Sequence, residues 1–195
     1  MEQIDIVCED GQPTGLRASR AEVHRKGLWH RTVHIWIYNE KYGVLLQKRS
    51  QNKESHPGLW DISCAGHISA GESSVDAAIK ELNEELGVRA RVDDLKFLFS
   101  EKSFFVQKKG RYIDREIHDT YLLRKAIPVD LIRIQTCEIE SVKYIPFNEF
   151  ELSVTQNSLD MVQHTSEYKQ LVSLKGHSMM IFHDYSLFVY HRYYD

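Results

Sequence analysis

The sequence has few cysteines and no long apolar run. Cys8, Cys64 and Cys137 are odd in number and scattered along the 195 residues, which argues against a disulfide framework or the paired spacing of a zinc site. No stretch approaches the roughly 20 apolar residues that a membrane-spanning helix needs. The acidic first ten residues lack the features of a signal peptide. These absences predict a cytoplasmic protein without a membrane partner.

The sequence also lacks a strong excess of either charge. Its formal net charge is −3, so a nucleic-acid polymer is not expected as the main partner. The hydrophobic share of 42% is ordinary for a globular protein. We therefore expect one domain over residues 1–175. The tail over residues 176–195 is rich in Phe and Tyr, and it either packs on the domain or forms a subunit contact in a homodimer.

Apolar and polar residues alternate in several segments, which predicts strands. The expected strands are residues 4–8, 32–38, 44–49, 59–64, 89–94, 95–107, 112–123 and 138–145. A turn is expected over residues 11–15, which contain two glycines and a proline. Helices are expected over residues 19–27, 73–87, 148–152 and 159–174. This order predicts an α/β (α+β) fold with a mixed sheet between helices.

The segment from residue 66 to residue 88 has the most chemically informative pattern. Ser73 and Gly87 are suitable caps for a helix between them. Glu81, Glu84 and Glu85 lie on one side of that helix, where like charges oppose folding by about 0.2–0.5 kcal/mol per pair. Several carboxylates from one helix favour a bound Mg²⁺ or Mn²⁺. The alternative is a solvated acidic helix face.

The same segment resembles the signature of the Nudix hydrolases, in which glycines and glutamates recur with fixed gaps. The matching positions are Gly66, Glu72, Lys80, Glu81, Leu82, Glu84, Glu85, Gly87 and Val88. Only Lys80 departs from the pattern, because the family has an arginine there that orients the neighbouring glutamate. Lysine keeps the charge but loses the planar, two-pronged geometry. The resemblance implies an α/β/α sandwich of the Nudix type.

The resemblance also implies functional residues. In Nudix hydrolases the carbonyl of the matching glycine and the late glutamates hold the metal, which implies that Gly66, Glu81, Glu84 and Glu85 are its ligands. The three glutamates are the catalytic candidates, and which of them takes the proton of the attacking water is left open. Glu116 is the first candidate and Asp114 the second for a further metal-binding acid from a later strand. The alternative is that these two acids and His118 form a polar outer strand face. Glu72 is expected to stabilise its loop.

The expected substrate is a small nucleoside diphosphate derivative or another organic diphosphate. Lys48, Arg49 and Lys53 precede the signature, and Lys80 lies within it, so these four can bind substrate phosphates. The alternative is that they are ordinary surface cations. Trp60 either stacks on a base or packs in the core.

The N-terminal half also resembles isopentenyl-diphosphate isomerases, which share the Nudix fold. The stretches VHRKGLWHRTVHIWIYN, LLQKRS and HPGLWDISCAGH carry this resemblance. Those isomerases need a cysteine at the position of Ala65, and they lack the full pair found here at Glu84 and Glu85. Cys64 is adjacent, but neighbouring strand residues face opposite sides. Hydrolysis is therefore favoured. Isomerisation is one alternative, and a nucleotide-binding protein without activity, suggested only by Lys80, is another.

The isomerase resemblance implies a second metal position. Its candidate ligands are His24, His30, His67, Asp114 and Glu116. Nitrogen and oxygen donors together suit Mn²⁺ or Zn²⁺ better than Mg²⁺. Because ligating histidines must be neutral, occupancy should fall as the pH drops through about 6.5. The alternatives are structural histidines and a polar outer strand face carrying the two acids.

Overall fold

The computed structural model describes residues 2–107 and 110–156. The predicted helix over residues 159–174, the aromatic tail and the domain end at residue 175 lie outside these ranges. In this part of the chain no helix is long and apolar enough to cross a membrane. The strands and helices follow in the order β1 (Gln3–Val7), β2 (Pro13–Ser19), α1 (Arg20–Lys26), β3 (His30–Asn39), β4 (Gly43–Arg49), β5 (Trp60–Asp61), β6 (Cys64–His67), α2 (Ser74–Leu86), β7 (Leu95–Gln107), β8 (Tyr112–Arg124), β9 (Ile139–Ile145) and α3 (Phe147–Gln156).

Strand β3 is central to the mixed sheet. It pairs in parallel with β8, with His30 opposite Glu116, and antiparallel with β6, with Thr32 opposite His67. Strand β4 pairs antiparallel with β9 and β5. Strands β6 and β8 are far apart in sequence, but both pair with β3 and therefore lie close together in the sheet.

The two faces of the sheet bury separate cores. Val33, Ile35 and Ile37 of β3 pack in the core that contains α2, whereas Trp36 packs with Phe150 of α3 on the opposite face. Alternation along β3 explains this division, because successive strand residues point to opposite faces. The predicted mixed α/β sandwich is confirmed.

Both helices predicted around the site are confirmed with their caps. Ser19 Oγ accepts from the backbone N–H of Glu22, and Ser73 Oγ accepts from that of Asp76. Gly87 ends α2 in the left-handed region with φ 65°, where a side chain would be strained. The helix is held against the sheet by buried residues on one side, including Ala77, Ala78, Leu82 and Leu86.

Two segments have a secondary structure other than the one that the sequence predicts. The turn expected over residues 11–15 is wrong in part, because β2 begins at Pro13 and pairs with β1. Cross-strand pairing, helped by the 2.9 Å ion pair of Arg17 with Asp5, prevails over the local turn residues. The strand expected over residues 89–94 is also wrong. Asp94 Oδ2 accepts from the backbone N–H of Arg91 and bends the chain into a short 3-10 turn at Val92–Asp94.

The strand expected over residues 59–64 is split into β5 and β6. Between them Ser63 is fully buried; its Oγ donates to the carbonyl of Leu45 at 2.6 Å and accepts from the N–H of Ile37 at 2.8 Å. The chain thus changes partner from β4 to β3 at this residue. The change places Gly66 inside β6 rather than after it.

Candidate active site

A cavity of about 530 Å³ opens where α2, β6, β3 and β8 meet. Two groups of predicted residues meet around it, one on each side of β6. We call Gly66, Glu81, Glu84 and Glu85 the helix site. We call His24, His30, His67, Asp114 and Glu116 the histidine site. The cavity lining includes all four members of the helix site and three members of the histidine site, His67, Asp114 and Glu116.

In the helix site, α2 lies directly against the backbone of β6. A Cβ at position 66 would lie 2.1 Å from Cδ of Glu81, so the glutamate needs a glycine there. Glu85 is only 6% exposed, and its Oε2 accepts a hydrogen bond from Cys64 Sγ at 3.3 Å. Glu84 is exposed at the cavity lining. Because Glu85 is buried, the alternative of a fully solvated acidic face is wrong.

The carboxylates of the helix site are electrostatically crowded. Burial, followed by the charge of Glu85, raises the pKa of Glu81 to about 8. Burial also raises the pKa of Glu85 to about 7, against the lowering effects of the Cys64 hydrogen bond and Lys53. A cation would relieve both effects, because it stabilises the charged carboxylate. Oxygen donors of this kind fit Mg²⁺ or Mn²⁺.

Lys80 joins the loop before α2 to the helix site. Its Nζ donates to Glu72 Oε2 at 2.9 Å and lies 3.6 Å from Glu81 Oε1. Glu72 in turn accepts from the backbone N–H of Ser69 at 3.0 Å, so it stabilises the loop as expected. Lys80 therefore retains a charge contact with the neighbouring glutamate although it lacks the guanidinium plane. Its assignment as a substrate ligand stays a prediction.

The histidine site converges from four elements: α1, β3, β6 and β8. One donor atom from each of His24, His30, His67 and Glu116 lies within 4.8 Å of the others. Asp114 Oδ1 lies 3.5 Å from His24 Nε2 and 3.8 Å from His30 Nε2. Asp114 is only 4% exposed. The alternative of a polar outer strand face is therefore wrong.

Backbone carbonyls orient two of these imidazoles. His24 Nδ1 lies 2.8 Å from the carbonyl of Arg20, and His30 Nδ1 lies 3.0 Å from that of Leu28. Since a carbonyl only accepts, Nδ1 carries the proton in each ring and Nε2 offers its lone pair. Within residues 2–107 and 110–156, no hydrogen bond reaches Nε2 of His24, His30 or His67. These buried nitrogens fit a transition-metal site.

In the histidine site, burial lowers the pKa values of histidines and raises those of carboxyl groups. It lowers the pKa of His24 and holds that of His67 well below the usual range, which keeps both rings neutral. Burial, and next the charge of Glu116, raises the pKa of Asp114. For Glu116 burial opposes ionisation, but its interactions with neighbouring histidines, chiefly His30, outweigh it and hold its pKa well below normal. His24 and His67 thus offer neutral nitrogens beside the ionised carboxylate of Glu116.

The predicted substrate cations separate into two groups. Arg49 and Lys53 line the cavity, where Arg49 donates to Asp61 Oδ2 at 2.9 Å and Lys53 pairs with Glu138. Lys48 is absent from that lining and contacts Glu140 at 2.6 Å. Trp60 packs against the core on the α3 face and lies beneath the ammonium of Lys143, in line with its interpretation as a core residue.

Position 65 distinguishes the hydrolase and isomerase hypotheses. Ala65 lines the cavity, whereas Cys64 is fully buried in the core that contains α2. As predicted, Cys64 is absent from the cavity lining, although its Sγ donates to Glu85 of the helix site. The cavity therefore has a methyl group where the isomerase resemblance requires a thiol.

Sequence reasoning missed several cavity residues. Arg20, Thr32, His34, Phe105 and Tyr112 also line the cavity, and none was assigned a role. Thr32 and His34 share a strand face with His30, so the period of two along β3 was an available signal. The missing information was that β8 lies beside β3, because that pairing joins residues more than 80 positions apart.

The sequence of this chain is similar to those of known proteins. The model of the NUDIX domain matches residues 28–165. The chain is 43% identical over 152 residues to Nudix hydrolase 3 of Arabidopsis thaliana, an alignment that covers 76% of this chain but only 20% of that protein. It is 28% identical over 169 residues to an isopentenyl-diphosphate Delta-isomerase of Pectobacterium atrosepticum, covering 87% of this chain and 88% of the isomerase.

A solved structure shows the same fold. A crystal structure from Deinococcus radiodurans aligns with a TM-score of 0.63 at 18% identity, over 87% of this chain and 98% of the other. Both sequence resemblances are therefore confirmed, the general one by the domain match and the isomerase-like one by the Pectobacterium relative. The chain belongs to the Nudix hydrolase family.

Proposed function

We propose that the protein is a Mg²⁺- or Mn²⁺-dependent hydrolase that cleaves the diphosphate linkage of a nucleoside diphosphate derivative or another organic diphosphate. The observation that carries this proposal is the helix site. Three carboxylates from α2 face one cavity beside Gly66, and two of them have pKa values raised to about 7 and about 8. Such carboxylates need a partner cation when they are ionised.

In this proposal Gly66 of β6 and the glutamates of α2 hold the cation, and one of the glutamates accepts a proton. Gly66, Glu81, Glu84 and Glu85 would bind the ion, which neutralises phosphoryl oxygens and lowers the pKa of a bound water. Glu85 is oriented by Cys64, and Glu81 is oriented by contact with Gly66. A carboxylate of this set with a pKa near neutrality is suited to accept the proton of the attacking water.

The remaining cavity residues would bind the rest of the substrate. Arg49, Lys53 and Lys80 bring positive charge to the lining, and we assign them to the phosphates. Lys48 is a weaker candidate because it contacts Glu140 outside that lining. Glu116 would serve the histidine site rather than the helix site, because its carboxylate lies 3.7 Å from His30 Nε2.

Isopentenyl-diphosphate isomerisation is the second candidate, and the convergent histidine site favours it. The alanine at position 65 opposes it. Incubation with isopentenyl diphosphate separates the two, because isomerisation gives dimethylallyl diphosphate whereas hydrolysis releases phosphate or a monophosphate. Isomerase activity that disappears in Cys64→Ala would overturn the preference for hydrolysis.

The direct test is a screen of nucleoside diphosphate sugars, dinucleoside polyphosphates and isoprenoid diphosphates with Mg²⁺ or Mn²⁺. We expect at least one compound to be cleaved at its diphosphate linkage, and EDTA to abolish the cleavage. Glu149→Gln is the matched control, because Glu149 is exposed on α3 and absent from the cavity lining; it should retain wild-type rates. Tight binding of a nucleotide without any product would instead support a non-catalytic binding protein.

A further inference from the structure

A second pair of histidines lies on the strand face that carries the histidine site. His34 follows His30 at a spacing of four on β3, and His118 follows Glu116 at a spacing of two on β8. Because β3 and β8 are paired neighbours with Thr32 opposite His118, these side chains share one face of the sheet. His34 and His118 are 3% and 2% exposed. Two buried imidazoles are thus placed beside Glu116.

The donor atoms of these residues are close enough to meet at one ion. One ligand atom from each of His34, Glu116 and His118 lies within 4.8 Å of the others. Two imidazole nitrogens and one carboxylate form a donor set that suits Mn²⁺, Fe²⁺, Co²⁺ or Zn²⁺ better than Mg²⁺. His34 and Glu116 line the cavity, so an ion can enter from there.

The cross-strand neighbour of His118 is a carboxylate, a common outer-shell partner of a metal-binding histidine. Glu101 of β7 is directly opposite His118 in the β7–β8 pair, so the two side chains share a face. Among residues 2–107 and 110–156, no hydrogen bond reaches the buried Oε2 of Glu101. Ligating histidines usually donate their other N–H to such an oxygen.

We propose that His34, Glu116 and His118 bind a transition-metal ion of their own, which we call the inner site. Glu116 would be shared between the inner site and the histidine site and would bridge their two ions. The bridge depends on the histidine site proposed above, whereas binding by the inner site does not. Glu101 would act as a positioning residue for His118.

The orientation of the His34 and His118 rings adds a structural requirement to the proposal. The imidazoles of His34 and His118 are stacked, with centroids 4.1 Å apart and planes 11° from parallel. The in-plane lone pairs of parallel rings do not converge on one ion, so binding requires at least one ring to rotate about χ2. That torsion has a broad preference for histidine. Metal binding should therefore separate the stacked rings, and the ring-proton NMR signals of both histidines should shift on titration with Zn²⁺.

The experiment counts bound metal in the full chain. Chelator-stripped protein is saturated with Mg²⁺, so that the helix site is occupied, then titrated with Co²⁺, and bound cobalt is measured by elemental analysis after gel filtration. We expect about two equivalents for wild type, and about one for His118→Asn, His34→Gln or His67→Ala. Glu101→Gln should weaken one equivalent by roughly tenfold, as expected for an outer-shell partner.

The controls separate a lost ligand from a lost fold. His56→Asn changes a third histidine of the same cavity lining and should keep both equivalents. Each variant is compared with wild type by circular dichroism, and His34→Gln provides a second test if His118→Asn does not fold. Wild-type cobalt content in both folded variants would overturn the inner site. A single equivalent in wild type that persists in His34→Gln would overturn it as well.

Discussion

The two sides of strand β6 carry different kinds of candidate metal ligand. Cys64 and Gly66 face α2, where the donors are carboxylates that belong to one helix. Ala65 and His67 face the histidine site, where most donors are imidazoles from separate elements. Burial favours the neutral form of both kinds of group. The neutral carboxylate is protonated and must lose its proton to bind metal, whereas the neutral imidazole is already a ligand.

This difference predicts different pH behaviour on the two sides. The pKa values of Glu81 and Glu85, raised to about 8 and about 7, mean that metal binding at the helix site strengthens as the pH rises through that range. The lowered pKa values of His24 and His67 move the loss of the histidine site below the usual pH range for histidine. The pH of about 6.5 at which the sequence predicted loss of the bound metal is therefore an upper limit.

The largest expected effect concerns the helix side alone. Glu85→Gln removes a buried carboxylate charge while keeping its shape, so turnover should fall at least about 100-fold, equivalent to about 2.7 kcal/mol of transition-state stabilisation. Kinetics on the best substrate from the screen measure this, with Glu149→Gln as control. The cobalt content of the histidine side should not change. Near wild-type turnover would contradict the assignment of the helix site.

The reciprocal change tests the histidine side. The double variant His67→Ala, Glu116→Gln removes one nitrogen and one carboxylate from a cluster whose donors lie within 4.8 Å. Transition-metal affinity there should fall by at least about tenfold, because the remaining donors cannot complete the coordination. Elemental analysis compares the variant with wild type after exposure to Mn²⁺ or Zn²⁺. Equal metal content in the two proteins would rule out this site.

A smaller effect should appear in the stability of the metal-free protein. The pKa values of Glu81 and Glu85 are about 8 and about 7 in the folded state, against an ordinary value of 4.5. Between the unfolded pKa of 4.5 and the folded pKa values, the folded state binds more protons than the unfolded state. The free energy of unfolding therefore falls as the pH rises through this range. In EDTA, Tm should be lower at about pH 8.5 than at about pH 6, by at least about 3 °C or ~1 kcal/mol.

Two comparisons test the cause of that pH dependence. Saturating Mg²⁺ should raise Tm more at the higher pH, because the ion binds the ionised carboxylates of the folded state. The Glu81→Gln, Glu85→Gln variant lacks the two titrating groups and should lose most of the pH dependence. A Tm in EDTA that rises with pH in the wild type but not in this variant would contradict the assigned pKa shifts.

The smallest effect is expected at the position that departs from the family pattern. Lys80→Arg restores the arginine, but Lys80 already contacts Glu72 and Glu81. Turnover should therefore change by no more than about threefold, equivalent to roughly 0.7 kcal/mol. Lys80→Met keeps the length of the side chain and loses its charge. The fold-decrease in turnover of this variant should exceed the fold-change caused by Lys80→Arg. A gain above tenfold in Lys80→Arg would show that lysine misplaces Glu81.

The sequence predicted the helix side well because its determinants are local. The caps at Ser73 and Gly87 and the glutamates between them lie within a few turns, so helical spacing alone fixes their relative positions. The histidine side depends on contacts between distant residues, such as His30 beside Glu116. Resemblance to isomerases suggested its five members, but the period of the strands alone could not show which strands are neighbours.

Two of the errors had the same origin. Residues 13–15 contain the turn-forming Pro13 and Gly15, yet pairing with β1 makes an edge strand there. Ser63 looked like an ordinary strand residue, yet its two buried hydrogen bonds mark the change of partner that creates β6. In both cases a tertiary partner decides the structure, and single-sequence patterns contain no direct record of that partner.

The two-sidedness of β6 restricts how this enzyme family can change its chemistry. Position 65 lines the cavity, while Cys64 belongs to the core beside α2. Shifting the strand by one residue would bring a thiol to the cavity, but it would also turn Gly66 and His67 to the wrong sides. A one-residue insertion or deletion in β6 would therefore disturb both sites at once. Substitution at position 65 is the change that brings a thiol to the cavity while the register of Gly66 and His67 is kept.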